Sequence, residues 1–422
     1  MKRRGWRSRG SSGGTGSRAS DGHRVKPLIV HITADYPDAI DATKTRAIAA
    51  LVEGTRDRFD HRVYSLNRDG SGVRAFLTPG SVQPAGERGG VLSWRYAAPS
   101  KGLFLARSMR GVADAILADL RQAGLVPALI HAHKLSFEGI AAQRVAARLG
   151  LPFALTLQGN TDQKLIRSRP DLRRRYREIW HQAALIVAFA PWIERFCEAP
   201  FGVRAGPTIA LPCIPAADTI IAPRETGPRV LSAFRLSDWR NKNIAAVAQA
   251  CATLRPEFPD LTLEIAGGGS PEDERAVDRA LAASGATAFT RRVGRIAPDA
   301  IQTWMNSGAV FAMPSRRESF GMVFVEALMA GCPIIYPRGA AVDGYFDGAE
   351  FASGVDARDQ AKITAILRDA LNQSAKSKQI LGLWLSSAAA DQFTTARILT
   401  SYSSATDDAR SSPAPLFRPA GD

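Results

Sequence analysis

The stretch Pro314-Ser-Arg-Arg-Glu-Ser-Phe-Gly-Met-Val-Phe-Val-Glu-Ala-Leu-Met-Ala-Gly-Cys-Pro333 is entered from a short apolar run at 310–313. Four apolar residues stopped by a proline read as a buried strand, and the stretch that follows reads as a helix. Ser319 suits an N-cap, Gly331 suits the left-handed position just past a helix end, and Pro333 cannot continue one. The pattern therefore predicts a helix over 320–330. A strand joined by a loop to such a helix is a βα unit, and its loop lies beyond the carboxyl end of the strand, where open parallel sheets bind ligands. Glu326 is the only charge between Met322 and Ala330, and a buried carboxylate without a partner costs several kcal/mol. A pair of sugar hydroxyls could satisfy it, and so could an arginine from elsewhere in the fold. Glu318 stands at the helix entrance beside free backbone N–H groups near Gly321 and Met322, a place that holds anions such as phosphate.

Outward from this unit the same rhythm recurs. Strand candidates lie at 28–33, 61–65, 91–96, 128–133, 153–157, 185–189 and 208–211, with helical patterns at 43–54, 102–123, 136–149 and 162–182 between them. The second half adds strands at 229–233, 261–266, 288–293, 309–313 and 333–336. Strands alternating with amphipathic helices predict an α/β protein of two Rossmann-like, doubly wound parallel-sheet domains facing across a cleft. The first spans 27–212 and the second 229–390; the linker 213–228 is marked by Pro215, Pro223, Gly227 and Pro228. A last helix is expected at 391–403, and residues 1–26 and 404–422 read as disordered.

Length and composition narrow the classes. A chain of 422 residues exceeds the roughly 250–300 at which one core stops growing. With 45% hydrophobic and 23% charged residues it is an ordinary globular composition. No apolar run approaches the roughly 18 residues of a membrane-spanning helix; the best, 183–193, contains Pro191. Cys197, Cys213, Cys251 and Cys332 lie far apart without a C-x-x-C pair, which argues against a zinc or redox motif and fits a reducing, cytoplasmic compartment. The net charge of +15 invites a nucleic-acid reading, but no nucleic-acid motif accompanies it. Residues 1–26 hold eight Lys and Arg against Asp21, so eight minus one places +7 of the excess in the tail. That tail, and a second cluster of Arg167, Arg169, Arg173, Arg174, Arg175 and Arg177, suit either a plain solvated surface or contact with anionic lipid, which would put the protein on the inner face of a membrane. In the cluster, Leu165, Ile166, Leu172, Tyr176, Ile179 and Trp180 form the expected inner face.

Glu318 and Glu326, seven residues apart within E-S-F-G-M-V-F-V-E-A-L-M-A-G, resemble the E-x7-E motif of retaining GT-B glycosyltransferases of family 4, the glycosyl transferases group 1. The likeness covers about 27–402 and is stronger in the second half. Arg235 and Lys242, with Asn243, resemble the family's cations that grip the donor pyrophosphate. The run Leu263-Glu-Ile-Ala-Gly-Gly-Gly-Ser270, with Gly267 and Gly268, is similar to its nucleotide-side turn, and Arg292-Val-Gly-Arg-Ile296, with Arg295 and Ile296, to its base-binding segment. The resemblance implies that Glu318 bonds the donor sugar, that Ser319 and the amides of Phe320, Gly321, Met322 and Val323 touch sugar and phosphate, and that Glu326 holds the ribose diol. It implies a nucleotide sugar as donor, a saccharide or lipid-linked acceptor, and no cofactor or metal; the missing nucleic-acid motif and the charge held in the tail argue for no nucleic-acid partner. It implies a front-face route for which no protein nucleophile is named.

The first half matches more loosely, through Leu129-Ile-His-Ala-His-Lys134 and Phe137-Glu-Gly-Ile-Ala-Ala142. His133 is expected in the cleft or in a structural role, since an H-x-H pair alone offers too few ligands for a metal. The chain departs from the pattern twice. Gln158 stands where many members have histidine, and 33–46 lacks their paired glycines, which leaves Asp35, Lys44 and Arg46 to shape the acceptor side. These departures keep a non-catalytic scaffold of the same fold open as an alternative.

Overall fold

The computed structural model describes residues 26–70 and 74–415, apart from the side chains of Arg74 and Lys101. The basic tail expected to be disordered therefore lies outside the described residues except for Lys26. The first half contains β1 (Leu28–Thr33), β2 (Asp60–Asp69), β3 (Val82–Arg88), β4 (Val91–Ala97), β5 (Leu129–Ala132), β6 (Phe153–Leu157), β7 (Leu185–Ala188) and β8 (Thr208–Ala210). They form one sheet in the order β3-β4-β2-β1-β5-β6-β7-β8. The second half contains β9 (Arg229–Ala233), β10 (Thr262–Ala266), β11 (Thr290–Gly294), β12 (Val310–Ala312), β13 (Ile334–Pro337) and β14 (Ala352–Val355), ordered β11-β10-β9-β12-β13-β14. Every pairing is parallel except β3 with β4.

Strand order reverses between β1 and β5 in the first sheet and between β9 and β12 in the second. Such reversals open a crevice beyond the carboxyl ends of the strands. The loops at 34–46, 133–137, 234–238 and 313–321 therefore carry the candidate chemistry. Helices cover both faces of the central strands, which is why β5, β6 and β7 are buried at every residue and read as unbroken apolar runs.

Four local features differ from the expectations. β3 escaped the sequence because Pro84 and Gly86 interrupt it and most of it is exposed; a proline is tolerated there because β3 is an edge strand. The four-residue β14 carries too little pattern to read. The helix expected over 162–182 is two helices, Asn160–Ser168 and Arg173–Gln182. Pro170 forces Arg169 out of helical geometry, to φ −127 and ψ 67.

The final helix runs Thr395–Arg410, so the expected disorder is corrected for 404–410, while 416–422 lie outside the described residues. The Thr394 hydroxyl caps its start, and Ile398, Tyr402, Thr406 and Ala409 continue one buried stripe to its end. That stripe packs on the first domain, where Tyr402 bonds His131 at 3.0 Å and Arg58 pairs with Asp407 at 2.6 Å.

Candidate active site

In the second domain the loops after β9 and β12 are tied together by side chains. Asn241 Nδ2 donates to the Arg317 carbonyl at 3.0 Å, and the Arg316 N–H donates to the Asn241 carbonyl at 2.7 Å. Asn243, in left-handed geometry at φ +61, donates to the carbonyls of Pro314 and Ala357 at 3.2 and 2.8 Å. This clamp sets Lys242 Nζ 2.6 Å from Glu318 Oε2, with side-chain exposures of only 17% and 15%. Arg235 lies exposed where β9 ends. The adjoining glycine turn packs on the same loop: Leu236 N–H donates to the Gly268 carbonyl at 3.1 Å. Gly267, at φ +134, admits no side chain, since a Cβ there would lie 1.8 Å from the Phe234 carbonyl oxygen. Arg295 covers Gly268. Ile296 faces a surface groove with Val293, Thr303 and Trp304.

The helix itself is Met322–Met329, starting later than the sequence suggests. The N-cap is Gly321 at φ +73, not Ser319, so Ser319 and Phe320 belong to the loop. Phe320 is buried edge-on against Tyr345. Met322 and Val323 form the first turn, whose backbone N–H groups have no partner within the helix. Glu326 finds its protein partner in neither an arginine nor its own helix: Oε1 accepts the backbone N–H of Ala216 in the linker, at 3.1 Å. Burial raises its carboxyl above the usual range, and the Ala216 N–H pulls the other way.

Across the first domain, Lys134 is the centre of a buried charge cluster at the ends of β1 and β5. It pairs with Asp35 and lies 3.6 Å from Glu138. Glu138 accepts the N–H groups of Ala34 and His133 at 2.7 and 2.9 Å, so one carboxylate ties the two strand ends together. Burial pushes the Glu138 carboxyl up to about 8, against the pull of the Lys134 ammonium. Lys44 bonds Asp38 and Ser65, at 2.8 and 3.0 Å. Arg46 pairs with Glu53 along the helix it precedes, with 66% of its side chain exposed, because that helix buries Ala47, Ile48 and Leu51. Gln158 is half-buried and donates to the His133 carbonyl at 2.8 Å.

His133 takes the structural role, not a place in open cleft: it is fully buried. It belongs to a line of side chains in which each ring nitrogen has one partner. Tyr402 bonds His131 Nδ1, His131 Nε2 and His133 Nδ1 share the Thr156 hydroxyl, His133 Nε2 meets His31 Nδ1, His31 Nε2 meets His61 Nδ1, and His61 Nε2 reaches Thr55. The Thr55 hydroxyl donates to the Leu51 carbonyl, which fixes every direction upstream. All four rings are then neutral with the proton on Nε2, and Tyr402 is the terminal donor. Burial drives the ring pKa values down, to about 3 for His131 and about 4 for His61. Nitrogens of His31, His131 and His133 lie within 4.8 Å of one another, so the structure supplies the third ligand the H-x-H pair lacked. A metal there would have to displace a hydrogen-bond line that already satisfies every nitrogen.

The sequence missed Lys134, Glu138, Asn241, Ala216 and Trp192. Glu138 had a readable signal, as the lone charge in the first turn of an apolar helix. Ala216 and Trp192 had none, because their partners are more than a hundred residues away in the chain.

The chain matches two family profiles: "Glycosyl transferase 4-like domain" over residues 45–213 and "Glycosyl transferases group 1" over residues 227–372. D-inositol 3-phosphate glycosyltransferase of Arthrobacter sp. (strain FB24) is 29% identical over 135 residues, 31% of this chain and 32% of that protein. The chain thus aligns with about a third of that relative's length. Sucrose-phosphate synthase from Thermosynechococcus elongatus superposes with a TM-score of 0.65 at 18% identity, over 90% of this chain and 98% of that one. Anabaena HepE, solved in complex with UDP and glucose, superposes at 0.58 and 15% identity, over 90% and 99%. Two parallel-sheet domains with this topology are the GT-B architecture, and the chain belongs to the group 1, family 4-like glycosyltransferases.

Proposed function

We propose that the chain is a retaining transferase that moves a sugar from a nucleotide-sugar donor to a hydroxyl of a saccharide or lipid-linked acceptor, in polysaccharide or glycolipid assembly. The observation that carries this reading is the Lys242–Glu318 pair at the entrance of the helix Met322–Met329, with the exposed Arg235 on the loop after β9 as the second cation. As the glycosidic bond breaks, negative charge grows on the leaving diphosphate. Lys242, Arg235 and the amides of Met322 and Val323 would stabilise that charge more than the ground state, which is what accelerates the step. Charge stabilisation of this kind needs no metal. Glu318 would bond the donor sugar through its second oxygen. Glu326 would hold the ribose diol, since Ala216 engages only one of its carboxylate oxygens. The acceptor would enter over Asp35 and Gln158 at the ends of β1 and β6. HepE, in complex with UDP and glucose, makes UDP the first nucleotide to test.

Thermal shift against UDP, GDP, ADP and their sugar conjugates tests the reading. A ligand at a hundred times its dissociation constant adds about 2.7 kcal/mol to the folded state. One nucleotide class should give a selective rise that Lys242→Ala abolishes; no rise with any of them would count for the scaffold reading.

We also place the protein in the cytoplasm, at the inner face of a membrane. Among the described residues no helix is long and apolar enough to cross one. Leu103 and Phe104 are 48% and 43% exposed, and the adjacent Gly102 lies against Arg169 of the arginine cluster. Within that cluster Arg173, Arg174 and Arg177 are exposed, and Arg174 pairs with Glu178. An apolar tip beside guanidinium groups suits an anionic lipid surface. The chain should float with phosphatidylglycerol vesicles and not with phosphatidylcholine vesicles, and loss of residues 1–26 should weaken this. Equal flotation with both lipids would remove the anionic headgroup from the account, and no flotation with either would remove the membrane.

A further inference from the structure

Trp192 opens the helix Pro191–Phe201 of the first domain and is 4% exposed, yet its indole N–H leaves that domain altogether. It donates to two carbonyls of the second domain, Ser319 at 3.2 Å and Ala341 at 3.0 Å. The N–H of Ala341 in turn donates to the Glu318 carbonyl at 3.3 Å. Ala341 sits at φ +56, a geometry disfavoured for a side-chain-bearing residue and held here by bonds on both of its peptide groups. The backbone on both sides of the Glu318–Ser319 peptide is therefore fixed from across the cleft by one ring.

The six-membered edge of that ring meets the turn that carries Gln158. A Cβ on Gly159, at φ +130, would lie 2.8 Å from the Trp192 ring and 3.2 Å from Ser319 Cα, so the two domains touch at this glycine. Further along the same seam, the Tyr345 hydroxyl donates to the Phe189 carbonyl at 3.0 Å and Arg195 reaches Asp343 at 3.3 Å. The hydrogen bond and the ion pair hold the domains together without bonding the Glu318 loop, which Tyr345 meets only through its ring, packed on Phe320. Trp192 alone among them bonds that loop.

We infer that Trp192 is a positioning residue: its indole N–H sets the Glu318 loop only when the domains are closed, so the sugar-binding carboxylate is placed where the acceptor-side turn Gln158–Gly159 is already seated. The inference rests on the transferase reading above. It makes the reacting geometry depend on closure while leaving the nucleotide grip, at Glu326 and the Gly267–Gly268 turn, largely independent of it.

Trp192→Phe keeps an aromatic ring and removes the N–H. With whichever of UDP-glucose, UDP-N-acetylglucosamine or GDP-mannose the wild-type protein turns over, W192F is expected to lose roughly tenfold or more in kcat, the scale of a small misplacement at a reacting centre. The dissociation constant of the matching nucleoside diphosphate should stay within about twofold. Tyr345→Phe, which removes the neighbouring interdomain bond, should keep kcat within about twofold of wild type. Equal kcat in W192F and wild type overturns the inference, and so does an equal loss in Y345F, which would mean general loosening of the seam. In wild-type protein labelled at its seven tryptophans, the Trp192 indole N–H resonance should move when the sugar donor binds; an unmoved resonance overturns the inference even if W192F does not fold. Absence of turnover in the wild type with every donor counts against the transferase reading instead.

Discussion

Lowering the pH from 7 to 5 is expected to remove about 2 kcal/mol of stability through each of His31, His131 and His133. All three rings are fully buried and held neutral, with pKa values depressed first by burial and then by repulsion between rings of the line once any is protonated, to which Lys134 adds at His133. The sign follows from proton counts. Above about pH 6.5 neither the folded nor the unfolded histidines are charged, and the line of hydrogen bonds contributes fully. Below it the unfolded chain binds protons that the folded chain refuses, so stability falls by about 1.4 kcal/mol per pH unit per ring until the folded pKa is reached. For His131 that point is about 3. Protonating any ring would turn an acceptor nitrogen into a second donor facing a donor, so the line has no charged alternative that keeps its bonds.

Glu138 opposes this trend. Its carboxyl is raised to about 8, so it gains a proton in the folded state first and adds stability as the pH falls through that range. A difference measurement separates the two. In His131→Gln the amide can still accept from Tyr402 and donate to Thr156, but it does not titrate. Its stability, from denaturant unfolding between pH 5 and 6.5, should depend on pH less steeply than wild type by about 1 kcal/mol per unit. Parallel slopes would mean that His131 titrates as it does in water and that the neutral line is wrong.

Lys242→Ala should lower kcat by roughly a hundred- to a thousandfold, the usual consequence of removing one preorganised charge from a site where the leaving group ionises. The loss has two parts. The cation that meets the diphosphate disappears, and Glu318, only 15% exposed, loses its 2.6 Å partner. A carboxylate left unpaired there is costly and turns away towards water, which spoils its bond to the sugar. Thermal denaturation should show the variant folded, because Asn241 and Asn243 still clamp the two loops. Measured transfer within a few fold of wild type would remove Lys242 from the chemistry, whatever the donor.

The sequence by itself determined the two-domain parallel-sheet plan, because strands buried on both faces must be continuous apolar runs and helices must show one apolar stripe. β1, β6 and β9 have the bounds their residues predict. It also determined the neighbourhood of Glu318, Glu326 and Lys242, because glycines, caps and charges in a short βα unit act locally. Local pattern could not place what depends on distant chain. The start of the helix moved to Met322 because Phe320 is drawn against Tyr345, 25 residues on. Residues 404–410 are helical because a tertiary surface buries Thr406 and Ala409, although their composition is that of a tail. His31, His61, His131 and His133 are ordinary isolated residues in the sequence and become one hydrogen-bonded line only when β1, β2 and β5 align. Trp192 and Ser319 are 127 residues apart and meet because two separately folded sheets close on each other. Tertiary structure decides these contacts because hydrogen bonds and desolvation act over a few ångströms in space, whereas sequence records only the order in which the groups are strung.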